Sequence, residues 1–128
     1  MSAWRRQALT LLPEYREIIE GADSPMAMWI DLHFEFGRAM ANPESELVNR
    51  FLRYAAWCIS PAAGQLPSDT STAVACAFYE HLPQERSYWS YFPKWFSPPE
   101  FESLLPVFSY HVSAQQLEEL KKSFANAA

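Results

Sequence analysis

The stretch Asn42–Ser60, NPESELVNRFLRYAAWCIS, decides the reading of this chain. Leu47, Val48, Phe51, Leu52, Ala55, Cys58 and Ile59 recur at the i, i+3, i+4, i+7 spacing that places side chains on one stripe of an α-helix. Asn42 is suited to the N-cap and Pro43 to the first helical position. Glu46 and Arg50 lie four apart in the favourable order on the polar side, and Pro61 ends the run. A helix with so wide an apolar stripe must bury it against other helices.

The flanking sequence supplies those helices. Ser2 to about Leu12 places Trp4, Ala8 and Leu11 or Leu12 on one side, and Pro13 then bends the chain. A second short helix follows through Tyr15, Ile18 and Ile19 to Gly21. Ser24-Pro25 opens a helix to about Ala41 carrying Met26, Trp29, Leu32, Phe36 and Met40, with Ile30 and Phe34 broadening the stripe. Its short connection to the Asn42 helix predicts an antiparallel hairpin. After the loop Ser60–Ser68, capped by Ser68 or Asp69, a helix to about Leu82 carries Val74, Phe78 and Leu82. Ala73, Ala75 and Ala77 in it admit a close neighbour. Ser97 with Glu100, and Ser113 with Gln116, read as capping boxes that open two more helices. In the last of these Glu118 is expected to pair with Lys122. The expectation is an all-α fold of six or seven helices, mostly antiparallel helical hairpins, in one compact domain over 1–128.

Bulk properties narrow the function. Of the 128 residues 49% are hydrophobic and 16% aromatic, too apolar for a disordered chain. No apolar run approaches the ~20 residues of a membrane span, and Pro13, Glu14 and Arg16 interrupt any signal-like run near the start, so a cytoplasmic protein is expected. The net charge of −5 is spread evenly, with no basic patch for nucleic acid. Cys58 and Cys76 read as two buried thiols in a reducing compartment, without metal-ligand spacing.

Chemistry-bearing motifs are sparse. His33, His81 and His111 form no HxxxH or HExxH pattern, there is no Gly-rich phosphate loop, and no GxSxG nucleophile occurs. No catalytic residue, cofactor or metal is therefore assigned. The densest feature is Gln84–Phe96, QERSYWSYFPKWF, which shows no clean period and reads as a short helix from Gln84 to Phe92 followed by irregular chain. Tyr and Trp offer large contact area at low entropy cost. Arg86, Tyr88, Trp89, Tyr91, Lys94 and Trp95 are the candidate binding residues, with Trp89 and Trp95 as anchors for a protein partner or a second copy of the chain. An alternative reading is a small enzyme or ligand-binding protein with a pocket at Glu80, His81 and the aromatic segment.

The run Ala73-Val74-Ala75-Cys76-Ala77-Phe78-Tyr79-Glu80-His81-Leu82, followed by Trp89 and preceded by a helix ending near Trp57, resembles a pattern in uncharacterised bacterial all-α proteins. Some of those look like immunity factors of toxin systems. The resemblance covers about Pro43 to Phe96 and carries no catalytic residue. It implies a small intracellular binding protein.

Overall fold

A computed structural model describes residues 1–127. The described residues contain eight α-helices and five short 3₁₀ segments and no β-strand, so the all-α expectation holds while the helices number one more than the upper expectation. They gather into two compact units, residues 1–77 and residues 78 onward.

The first unit holds α1 (Ala3–Leu11), α2 (Arg16–Gly21), α3 (Pro25–Ala39), α4 (Glu46–Cys58) and α5 (Asp69–Ala77). Ser24 caps α3, its hydroxyl accepting from the Ala27 amide at 3.1 Å. α4 begins later than the sequence suggests. Ser45 is its N-cap, accepting from Val48 at 3.3 Å. Asn42 and Pro43 instead form a turn, in which the Asn42 carbonyl accepts from the Ser45 amide at 3.1 Å. Asn at the first turn position and Pro at the second suit a β-turn as well as they suit a helix start, and Ser45 supplies the competing cap. Ser68 caps α5, with Ser68 and Ser71 exchanging amide-to-hydroxyl bonds of 3.1 and 2.8 Å.

Of the α4 stripe, Val48, Phe51, Ala55 and Cys58 are buried, and Leu47 and Leu52 are partly exposed. Tyr54, three residues after Phe51, completes the buried face. Its hydroxyl donates to the Trp4 carbonyl of α1 at 2.8 Å. Its ring stacks on Trp29 of α3 with centroids 5.4 Å apart. Three helices thus meet at one phenol. Arg50 does not turn to Glu46. It forks onto Glu14 at 2.7 and 2.5 Å and donates to the Leu11 carbonyl at 2.9 Å, while Glu46 takes Arg53 at 2.8 Å. A bidentate carboxylate plus a carbonyl outweighs one pair along a helix, and the Arg50 guanidinium holds the Glu14 carboxyl below its usual range.

α3 touches α4, but its most extensive neighbour is α5 rather than its expected hairpin partner. Ala73 and Ala77 are buried there, and small side chains let helices approach closely. α3 buries Met28, Trp29, Leu32 and Phe36 and leaves Ile30 49% and Phe34 66% exposed. The last two do not broaden the core stripe as the sequence suggests; they form a second face. Cys58 is buried and Cys76 exposed, which corrects the expectation of two buried thiols.

The second unit contains 3₁₀ segments Tyr79–Gln84, Arg86–Tyr91 and Ser109–His111, and helices α6 (Phe92–Trp95), α7 (Pro98–Phe108) and α8 (Ala114–Ala127). The helix expected to reach Leu82 therefore stops at Ala77 and continues as a 3₁₀ segment. Both capping boxes form: Ser97 with Glu100 at 3.3 and 2.9 Å, and Ser113 with Gln116 at 3.1 and 2.8 Å. Glu118 takes Lys121 at 3.1 Å rather than Lys122. The core is a train of rings. Phe92 lies 5.4 Å from Phe96 and from Phe108, and Phe101 stacks on Phe124 at 3.9 Å.

Two measurements check this packing. Phe51→Ala should cost about 3–5 kcal/mol of unfolding free energy and Leu52→Ala distinctly less, because only Phe51 is fully buried; chemical denaturation of the two variants compares them. Burial pushes the Cys58 thiol up to about 12, so it stays protonated at pH 8. A thiol reagent on the native chain should therefore modify one cysteine quickly, Cys76, and the second only on unfolding.

Candidate functional site

The aromatic segment has a period after all, and it changes part-way. Arg86–Tyr91 is a 3₁₀ segment, where residues three apart eclipse. From Phe92 the chain is α-helical, where residues four apart align, and the Phe96 amide donates back to the Phe92 carbonyl at 2.8 Å. Steps of three and then four produce two faces. Trp89, Phe92 and Phe96 form the buried one; Tyr88, Tyr91 and Trp95 form the partly exposed one. Pro93 fits the start of α6, where no helical partner is needed for its missing N–H.

The outer rings hold one another. Tyr91 stacks on Trp95 with centroids 5.8 Å apart and planes at 19°. Tyr88 meets Trp95 edge-on at 5.9 Å and 66°. Beneath them Trp95 lies 5.7 Å from Phe92, which anchors the face to the ring core. The Lys94 ammonium sits 5.9 Å from the centre of the Tyr91 ring, within the range of a cation–π contact. Burial, assisted by the Glu85 carboxylate, holds the Tyr88 phenol above its ordinary value.

Two of the six residues expected at the surface play a different part. Trp89 is 7% exposed, and its indole N–H donates to the Pro83 carbonyl at 2.9 Å. It belongs to the core and is no contact anchor. Arg86 lies over the Trp89 ring at 4.4 Å and pairs with Glu119 of α8 at 2.7 Å. It covers the buried indole and ties the 3₁₀ segment to α8. The platform is thus Tyr88, Tyr91 and Trp95, with Lys94 beside it.

Glu80 and His81 belong to a second cluster, whose third member is His111. Glu80 is 8% exposed, and its Oε1 accepts from His111 Nε2 at 3.0 Å. The His111 ring stacks on His81 with centroids 4.7 Å apart and planes at 11°. His81 Nδ1 in turn donates to Gln84 Oε1 at 2.8 Å. His111 is 31 residues from Glu80 in the chain, and neither spacing nor pattern connects them. In stacked rings the nitrogen lone pairs lie in parallel planes, so the two imidazoles face each other and do not converge on one ion. Among the described residues no group of three or more His, Cys, Asp or Glu is placed to hold a metal.

Comparison of the chain with protein-family models, with curated proteins and with solved structures finds no match.

The buried contact can be measured directly. A double-mutant cycle on Glu80→Ala and His111→Ala should return a favourable coupling of about 1 kcal/mol in unfolding free energy, since the carboxylate has little water to turn to when the imidazole is removed. Additive single effects would mean that the two side chains stand apart in solution.

Proposed function

We propose that this chain is a protein-binding module without catalytic activity, whose partner lies against Tyr88, Tyr91 and Trp95. The observation that carries the reading is the change of period at Phe92, which turns three rings outward on one face while three others root them in the core. Rings already locked by stacking lose little freedom when a partner covers them. Aromatic side chains on a firm base are the usual centre of a protein interface. Lys94 adds positive charge beside the rings of an otherwise acidic chain, which favours a partner surface with carboxylates around an apolar centre. The resemblance to immunity-like bacterial proteins leads us to read that partner as a toxin polypeptide met in the cytoplasm. No helix among the described residues is long and apolar enough to cross a membrane.

A second reading, a small-ligand or acid–base site, draws support from one contact, the bond between His111 and the nearly buried Glu80 carboxylate. Under it, a thermal-shift screen of small acids, phosphates and amines should give a compound that raises the melting temperature of the wild type and not of His81→Ala. A screen that leaves both unmoved counts against it.

The test of the first reading is differential capture. A protein held by the immobilised wild-type chain is identified by mass spectrometry and then titrated against purified variants. Trp95→Ala should bind about thirtyfold more weakly, the loss of a central interface ring, with its helical circular dichroism retained. Equal binding by wild type and Trp95→Ala would remove this face as the interaction surface.

A further inference from the structure

We propose that a second copy of this chain docks antiparallel on the outer face of α3, across a two-fold axis at Phe34. The surface is separate from the Tyr88, Tyr91 and Trp95 platform, and the inference does not depend on that reading.

α3 has two apolar faces. Met28, Trp29, Leu32 and Phe36 point into the first unit. Ala27, Ile30, Phe34 and Gly37 are all exposed and follow one another at steps of three, four and three, the spacing of a helix–helix seam. An exposed phenylalanine and isoleucine four apart on one helix leave a continuous apolar stripe in water. Gly37 sits inside the helix on that stripe. A glycine in a helix interior destabilises it by about 0.5–1 kcal/mol relative to alanine, and a close approach by another backbone or a bulky side chain is what a glycine there permits.

The stripe is complementary to itself in shape and in charge. With about 100° per residue, Asp31 and Arg38 lie to one side of Phe34, and Ile30 and Gly37 to the other. A two-fold axis perpendicular to the helices keeps each side with itself and reverses the order along it. Phe34 then meets Phe34 of the second copy. Ile30, four residues before, meets Gly37, three residues after, so the large side chain enters the space that the glycine leaves. Asp31, three residues before, meets Arg38, four residues after. Each offset is one residue, about 1.5 Å along the axis, well within side-chain reach. Both pairings occur twice. Arg38 is 80% exposed and also lies 3.4 Å from Glu35; a guanidinium has five N–H donors, so one carboxylate neighbour leaves donors for a second. A parallel two-fold offers none of this: it exchanges the two sides and keeps the order along the axis, so Asp31 faces Ile30 of the second copy and Arg38 faces its Gly37.

One helix-on-helix seam is small beside a standard protein interface, so the association should be reversible, with a dissociation constant on the order of tens of micromolar. Sedimentation equilibrium of the full chain from about 5 to 500 µM reads it. The wild type should move from monomer to dimer over that range. Phe34→Glu should weaken the dimer about thirtyfold or more. Gly37→Leu should do the same by blocking Ile30 of the second copy. Because leucine is a better helix former than glycine, this variant should melt no lower than the wild type, which separates loss of docking from loss of fold. Asp31→Arg should weaken association, and Asp31→Arg combined with Arg38→Asp should recover it. A wild type that stays monomeric throughout overturns the proposal. So does a dimer that survives Phe34→Glu or Gly37→Leu. A double charge reversal that fails to recover the dimer overturns the antiparallel two-fold.

Discussion

Burying a ring that carries a polar tip is the constraint on which both units depend. A tip that keeps a hydrogen bond when its ring leaves water avoids the cost of an unmatched buried donor, about 1–3 kcal/mol. In the first unit Tyr54 meets the constraint by reaching the Trp4 carbonyl, which fixes α1 against α4 while the ring lies flat on α3. In the second, Trp89 meets it by reaching the Pro83 carbonyl. That bond holds the end of one 3₁₀ segment against the next. In both, the acceptor is a main-chain carbonyl, so the bond positions backbone as well as side chain.

The start of a helix is legible in this sequence wherever one cap competes with nothing else. Ser24, Ser97 and Ser113 are such caps, and all three open the helices expected of them. Asn42-Pro43 fails because the same two residues favour a turn, and a serine stands three positions on. The stripe of α4 is legible at Val48, Phe51, Ala55 and Cys58; Leu47 and Leu52, read into it, are partly exposed, and Tyr54 escapes it because its hydroxyl argues against a core position until its partner, 50 residues away, is known. Arg50 misleads for the same reason: a distant carboxylate and carbonyl outbid the neighbour four residues on. Local pattern shows which side chains share a face. It does not show which face will be covered, and on α3 that difference makes Ile30 and Phe34 surface residues.

Ring density marks the aromatic segment in the sequence, but not the division of its faces. A fixed period applied to SYWSYFPKWF sorts its rings badly, because the true spacing is three before Phe92 and four after it. Pro93 was the available signal: it suits a helix start, so the regular period should begin there and something tighter should precede it. With the change of period included, Trp89 falls with Phe92 and Phe96, and Tyr88 with Tyr91 and Trp95. His111 had no such signal. It reaches Glu80 because two short 3₁₀ segments lie side by side, and that proximity is a property of the unit's packing alone.

The use of short, irregular segments at the platform follows from ring size. A long α-helix would present large rings about every three or four residues on one stripe and alternate them with polar residues elsewhere. Placing six rings within nine residues, 88 to 96, so that three face in and three face out, requires the inner and outer sets to run side by side without colliding. The 3₁₀ turn is narrower and rises further per residue, about 2.0 Å against 1.5 Å, so Tyr88, Trp89, Tyr91 and Phe92 are spread along the axis before the wider α turn brings in Trp95 and Phe96. The poorer hydrogen-bond geometry of a 3₁₀ segment is offset by the ring contacts it allows, and by Arg86, which covers Trp89 and ties the segment to Glu119. The placement of the outer face is therefore a consequence of the packing of the inner one: Trp95 lies 5.7 Å from the ring of Phe92, which is fully buried.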